Sequence, residues 1–366
     1  MDMNRITKEI RKFAAQVVIG SLLLILPLSC VQEFEYENKA NERHLVIDGG
    51  ITQKPGNQEI YLHYSTDYGR RIIAPVDGAE VTLFDDQGNS ENYFPSGNGK
   101  YILTGNVMEI NPGRAYHIEI RRGGQIYRSD PQVMPALTSP DSIRYEVVRS
   151  SVLNENGVVV DTYYLDVFLN TPFNLEGETN YFIWRSDHVY SLTEIRWNPL
   201  VAPKTCYFPA STDPEQAYIF SGENINEDYL NDRKVARVLI FPFWQFFEKH
   251  FYNIAQHCIT AEAYDYWETV NKIAYPTGSI FDTPPAPVRG NVHNVNDPDE
   301  IVLGFFEVSS VDTIRTWSNR EKLKPLGISD RCNDEYLYQS WNDQACRTCD
   351  VLDGATTERP YYWGDE

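Results

Sequence analysis

What most constrains this chain is the spacing of its turn signals. From His44 onward, short alternating or apolar stretches are separated by glycine- and proline-bearing turns about every ten residues, with no helical period between them. Residues 45–47, 60–64 and 79–84 have strand length and pattern, and residues 115–121 alternate cleanly. Asp85-Asp86-Gln87-Gly88-Asn89, Ser96-Gly97-Asn98-Gly99 and Pro112-Gly113 punctuate them, and Gly123-Gly124 makes a hairpin with residues 125–128. Aromatic residues at 13%, with 24 tyrosines, favour pleated, half-buried surfaces over helices. Residues 43–136 are therefore expected to form an antiparallel β-sandwich.

Pro131, Pro135 and Pro140 mark a boundary, and residues 137–366 read as a larger β-rich domain. Its long strands are expected over 143–148, 158–169, 180–185 and 235–240, with the polar stretch 198–231 as extended loop. One amphipathic helix is expected near 261–273. Thr260 is a suitable N-cap, Glu262 sits in the first turn, and Tyr264, Trp267, Val270 and Ala274 share a face. Pro276 and Gly278 end it. Beyond it Pro284, Pro285 and Pro287 stiffen a loop, Gly290 and Gly304 permit backbone that other residues resist, and residues 301–308 read as a buried strand.

The N-terminus fixes the compartment. Arg5, Lys8, Arg11 and Lys12 precede an apolar run over 13–28 that ends in Leu26-Pro27-Leu28-Ser29-Cys30. That run is shorter than the roughly 20 residues a spanning helix needs, so residues 1–29 read as a lipoprotein signal with Cys30 as the lipidated residue. Residues 30–42 follow as an acidic tether. Residues 1–29 carry four basic and two acidic side chains, so removing them takes the formal charge from −20 to −22. A surface of that sign repels phosphate backbones and anionic head groups, which excludes nucleic acid and leaves the lipid to hold the membrane.

The remaining cysteines are Cys206, Cys258, Cys332, Cys346 and Cys349, all disulfide candidates in an oxidising envelope. Five choices of the odd one and three pairings of the rest leave fifteen arrangements open. Cys346-x-x-Cys349 has no second pair at zinc spacing.

Gly278-Ser279-Ile280-Phe281-Asp282, Pro284-Pro285, Gly290-Asn291-Val292-His293-Asn294, Asp297-Pro298 and Leu303-Gly304-Phe305-Phe306 follow the helix in series. Together with the lipoprotein signal, the sandwich and the Pro360-Tyr361-Tyr362-Trp363 ending, this series resembles the lipoprotein family catalogued as domain of unknown function 4249, of the Bacteroidota outer-membrane type. The sandwich itself, through 75–83, 99–101 and 112–116, is similar to immunoglobulin-like or prealbumin-like modules. The family resemblance implies a lipid-anchored, cell-surface lipoprotein that accompanies a TonB-dependent outer-membrane receptor. It implies no catalytic residues.

Two constellations carry candidate chemistry. Phe241, Phe243, Trp244, Phe246 and Phe247 lie in one run, and consecutive residues of a strand cannot all face one core. Exposed, these rings would stack on a glycan or peptide ligand, or meet a protein partner; buried, they would fill the core. Asp297, Asp299 and Glu300, beside Asn294 and Asn296, have the oxygen density of a weak calcium loop without the EF-hand glycine; a solvated loop is the other reading. No G-x-S-x-G, H-E-x-x-H, Walker or G-x-G-x-x-G motif is present. The expectation is a non-enzymatic accessory of nutrient uptake without a cofactor. An envelope assembly protein is the alternative, and a surface glycan or peptide hydrolase the third class.

Overall fold

The computed structural model describes residues 43–56, 58–66, 74–105, 107–154, 156–174, 179–196, 200–212, 217–274, 287–332 and 343–364. The signal over 1–29, Cys30 and the tether over 30–42 lie outside the described residues, as do Gly278, Asp282, Pro284 and Pro285. The chain is mainly β.

Ten short strands come first: β1 (Leu45–Thr52), β2 (Gln58–Tyr64), β3 (Ala74–Pro75), β4 (Glu80–Asp85), β5 (Ser90–Asn92), β6 (Phe94–Gly97), β7 (Lys100–Leu103), β8 (Ala115–Arg122), β9 (Gln125–Ser129) and β10 (Gln132–Val133). They make two layers, β1–β2–β7–β6 against β9–β8–β4–β5. Alternate residues face the space between, including Ile47 and Ile51 from β1 and Tyr116, Ile118 and Ile120 from β8, all fully buried. The buried Tyr101 hydroxyl is satisfied there, accepting from Ala79 N at 3.0 Å and donating to Val76 O at 2.9 Å.

Seven more strands follow, most of them longer: β11 (Ser142–Leu153), β12 (Val159–Pro172), β13 (Tyr181–Thr193), β14 (Thr205–Ser211), β15 (Tyr218–Ser221), β16 (Tyr229–Leu239) and β17 (His250–Ile259). Then come the helix α1 (Ala261–Ala274), β18 (Val292–Asn294), β19 (Val302–Ser318) and the single turn α2 (Gln344–Arg347). The stretch 198–231, expected as extended loop, thus contains β14, β15 and the start of β16. Each apolar stretch there is only a few residues long, too short to show a period within polar surroundings. β11, β12 and β16 form a separate three-stranded sheet. It packs Leu165, Val167 and Val238 against Phe182, Tyr252 and Ile254 of β13 and β17.

β19 joins the two halves. Its residues 302–309 run parallel to β1, from Leu45 opposite Val302 to Thr52 opposite Ser309. Its residues 310–318 run antiparallel to β17, from Cys258 opposite Ser310 to His250 opposite Ser318. The result is one sheet in the order β14-β13-β17-β19-β1-β2-β7-β6, with β15 on β13 and β3 on β2. β18 meanwhile pairs with β9 in the facing layer, so the sandwich expected over 43–136 takes two strands from far along the chain.

The helix forms where its cap and face require. Thr260 Oγ1 accepts the Ala263 N–H at 3.2 Å, and Ala263, Tyr264, Tyr266 and Trp267 pack toward Ile183, Ile259 and Phe305. Ala274, expected on that face, is exposed in the last turn.

Gly290 and Gly304 sit where three backbones meet. A Cβ on Gly304, at φ +83°, would lie 2.0 Å from the Ile47 carbonyl oxygen, and one on Gly290 would lie 1.4 Å from that of Gly304. At Gly113, φ is +80° but nothing lies within 4 Å of a Cβ. Gly113→Ala should therefore cost only the left-handed strain, about 1–2 kcal/mol, and Gly304→Ala at least about twice that. Urea denaturation measures both; equal losses would mean that strain alone sets the requirement at Gly304.

Candidate functional site

The face of β13, β17, β19 and β1 turned away from the three-stranded sheet carries a cleft of about 210 Å³, walled at one end by α1. Strand parity decides what lines it. Phe306 and Val308 point into the sandwich core, so Glu307 and Ser309 point the other way. By the same alternation Trp184 and Cys258 enter the second core, leaving Arg185 and His257 on the cleft side. α1 adds Trp267, and β1 adds Asp48 at the rim.

Glu307 is buried and ordered by four donors. Arg185 Nη1 and Nη2 each donate to one of its oxygens at 2.8 Å, Trp267 Nε1 donates at 3.1 Å, and Ser309 Oγ donates at 3.2 Å. Having given its one proton to Glu307, the Ser309 hydroxyl accepts from His257 Nδ1 at 2.9 Å, which fixes the imidazole tautomer. Burial pushes the Glu307 carboxyl up, but the Arg185 guanidinium and its two hydrogen bonds outweigh burial and hold it at about 2. Burial, reinforced by Arg185, lowers His257 to about 3.

At neutral pH the cleft therefore holds a permanent carboxylate, a permanent guanidinium and a neutral imidazole. A general acid or base works best with a pKa near the operating pH, and neither Glu307 nor His257 has one. The arrangement offers fixed dipoles and an indole wall, the equipment of a binding site.

A pair of histidines lies elsewhere, on β13 and β17. His250 is fully buried between the rings of Phe246 and Tyr252, with centroids at 4.3 and 4.9 Å. Its Nδ1 lies 3.2 Å from Gln245 O, which can only accept, so Nε2 must accept in turn from His188 Nδ1 at 2.9 Å. Burial lowers His188 to about 4 and His250 well below its ordinary value.

The structure does not bring the 241–247 rings to one surface. Phe243–Phe246 is a 3-10 turn rather than a strand, so the side chains fan out in several directions. Phe246 enters the second core, Phe243 packs beside Tyr163, and Trp244 meets Tyr190 edge-on under Arg331. Phe247 carries Arg320, and Phe241 is 70% exposed. In the Asp297, Asp299 and Glu300 loop the carboxylates of Asp297 and Glu300 have protein partners. Asp297 accepts from Asp299 N, while Glu300 accepts from Asn294 Nδ2 and Tyr127 Oη. Among the described residues no group of three or more His, Cys, Asp or Glu side chains is placed to hold a metal ion.

Four cysteines pair, Cys206 with Cys349 and Cys332 with Cys346, and Cys258 is a buried free thiol. The two cysteines of Cys346-x-x-Cys349 thus bridge to different partners.

Sequence reasoning passed over Arg185, His257 and Glu307. The available signal was one charge in each of two apolar runs, Arg185 after Tyr181-Phe182-Ile183-Trp184 and Glu307 after Phe305-Phe306.

A family model described as domain of unknown function (DUF4249) matches residues 31–315, which include every residue that lines the cleft. No curated protein matches the chain.

Arg185→Gln should strand a buried carboxylate. The loss should be about 2–3 kcal/mol, below the 3–5 of a fully buried pair because the Arg185 side chain is 41% exposed, and Arg185→Gln with Glu307→Gln should recover most of it. Urea midpoints at pH 7.5 check this, and a double variant no better than the single one would refute it. The histidines give a pH dependence of definite sign. Their folded pKa values lie below the unfolded value near 6.5, so the unfolded chain binds more protons and stability falls as pH drops from about 6.5. Each of His250 and His257 contributes up to about 1.4 kcal/mol per pH unit over that window. Glu307 adds its own loss only below about pH 4.5. The urea midpoint should fall between pH 7 and pH 5, less steeply in His257→Gln; a flat profile would show these rings to be solvated.

Proposed function

The chain belongs to the family described as domain of unknown function (DUF4249), and from that footing we propose that it is a non-enzymatic lipoprotein, anchored in the outer membrane through Cys30 and exposed at the cell surface. In this reading it partners a TonB-dependent transporter and helps capture or admit a nutrient. The observation that carries it is the cleft beside Arg185 and Glu307, whose groups are locked in one charge state and so suited to holding a ligand rather than to moving protons. The signal over 1–29 and the disulfides suit an oxidising envelope, and the resemblance to lipoproteins encoded beside such receptors supplies the partner.

One observation favours a second reading, an envelope assembly protein. The hairpin joining β11 and β12 exposes Leu153, Val158 and Val159 at 70%, 55% and 66%, an apolar tip suited to contact with another protein.

A mild-detergent pull-down of the tagged, lipidated protein from outer membranes separates these. It should recover a TonB-dependent receptor, and Cys30→Ala should release the protein from the membrane fraction. Recovery of assembly machinery, or of no receptor, would transfer the case to the second reading.

A further inference from the structure

We propose that the Arg185–Glu307 cleft binds a single neutral sugar ring, the end unit of a saccharide chain. This rests on the binding reading above and gives the ligand a chemistry.

Charge comes first. The Arg185–Glu307 pair is neutral as a unit and His257 is uncharged, so the lining holds no unbalanced cation for an anionic ligand. The rim carboxylate of Asp48 and a chain of net charge −20 oppose an anion further. For a cation the charges oppose one another, the Asp48 carboxylate drawing it and the exposed edge of the Arg185 guanidinium repelling it, so hydrogen bonding and shape decide against it.

Hydrogen-bonding capacity comes next. Arginine has five N–H donors, and two are spent on Glu307, which leaves three. The Asp48 carboxylate supplies acceptors beside them, the lone-pair sites of Glu307 being filled by its four donors. A pair of neighbouring hydroxyls, each able to donate and accept at once, matches such planar groups, whereas an alkyl ligand would leave them unpaired.

Shape supplies the rest. The Trp267 indole is held by its bond to Glu307 and forms an apolar wall with Phe305, the kind of surface on which the C–H face of a sugar ring packs. Glycine at 49 and 50 means that no side chain rises from β1 between Asp48 and Ile51. A volume of about 210 Å³ is below the roughly 300–1,000 Å³ of pockets for drug-sized ligands, so one ring fits and the chain must leave by the open side.

The test uses the full detergent-solubilised protein against neutral hexose oligosaccharides, uronate oligosaccharides and short neutral and cationic peptides, read by calorimetry and tryptophan fluorescence. Neutral oligosaccharides should bind with an affinity unchanged between about 0.05 and 0.5 M NaCl. Asp48→Asn and Trp267→Ala should each weaken binding about tenfold or more. Asp48→Asn serves if Trp267→Ala loosens α1. Preference for uronates or peptides, no binding by any probe, or saccharide binding indifferent to both variants would overturn the assignment. If a receptor co-purifies while no saccharide binds, the sugar assignment fails and the accessory reading stands. If saccharide binds variant-sensitively while no receptor co-purifies, the site stands and the accessory reading fails.

Discussion

The register of β19 is the constraint on which the rest of this structure depends. At about 3.3 Å per residue a 17-residue strand runs some 55 Å, far beyond the usual strand, and this one changes partner halfway. Up to Ser309 its hydrogen bonds go to β1, and from Ser310 they go to β17. Parity is conserved through the exchange, so a slip of one residue would turn Phe306 and Val308 out of the first core and drive Glu307 into it. The Gly304 contact with Ile47 and the bond from Asn291 Nδ2 to Phe306 O at 2.9 Å pin that register from both sides.

Electrostatics sets the character of the cleft. A carboxylate buried on a sheet face would ordinarily take up a proton or unfold its surroundings, since desolvation costs several kcal/mol. Here the fork of Arg185, the indole N–H and a serine hydroxyl return that cost, so Glu307 stays charged across the physiological range. Burial, reinforced by the same cation that holds the glutamate charged, keeps His257 neutral. Permanence of charge is poor for acid-base chemistry and good for a preformed surface that need not reorganise when a ligand arrives.

Much of this was legible in residue order. Alternation in 115–121, the Thr260 cap and the glycine-bearing turns are local signals, and each element they imply is present. What escaped was non-local. Nothing near Leu45 says that it pairs with Val302, because a parallel ladder leaves no turn between its strands. The rings of 241–247 point apart because a 3-10 turn over Phe243–Phe246 places each ring about 120° from the last, a geometry that strand parity does not anticipate. Glu307 escaped because one acid in an apolar run looks like an irregularity until its partner, 122 residues earlier, is seen beside it. Of fifteen cysteine arrangements the order of residues could choose none; distance in space chose.

The shared placement of two disulfides has a topological consequence. Cys332 and Cys346 bracket residues 333–345, and Cys349 is bound across to Cys206 in β14. A protease that cut the chain anywhere between 332 and 346 would release no fragment, because the downstream piece is stapled to the upstream one twice. Tyr362 and Trp363 would keep their places on Phe251, with the C-terminus cleaved in sequence yet retained in space. Such a nick would change a gel band under reducing conditions and leave the fold as it was.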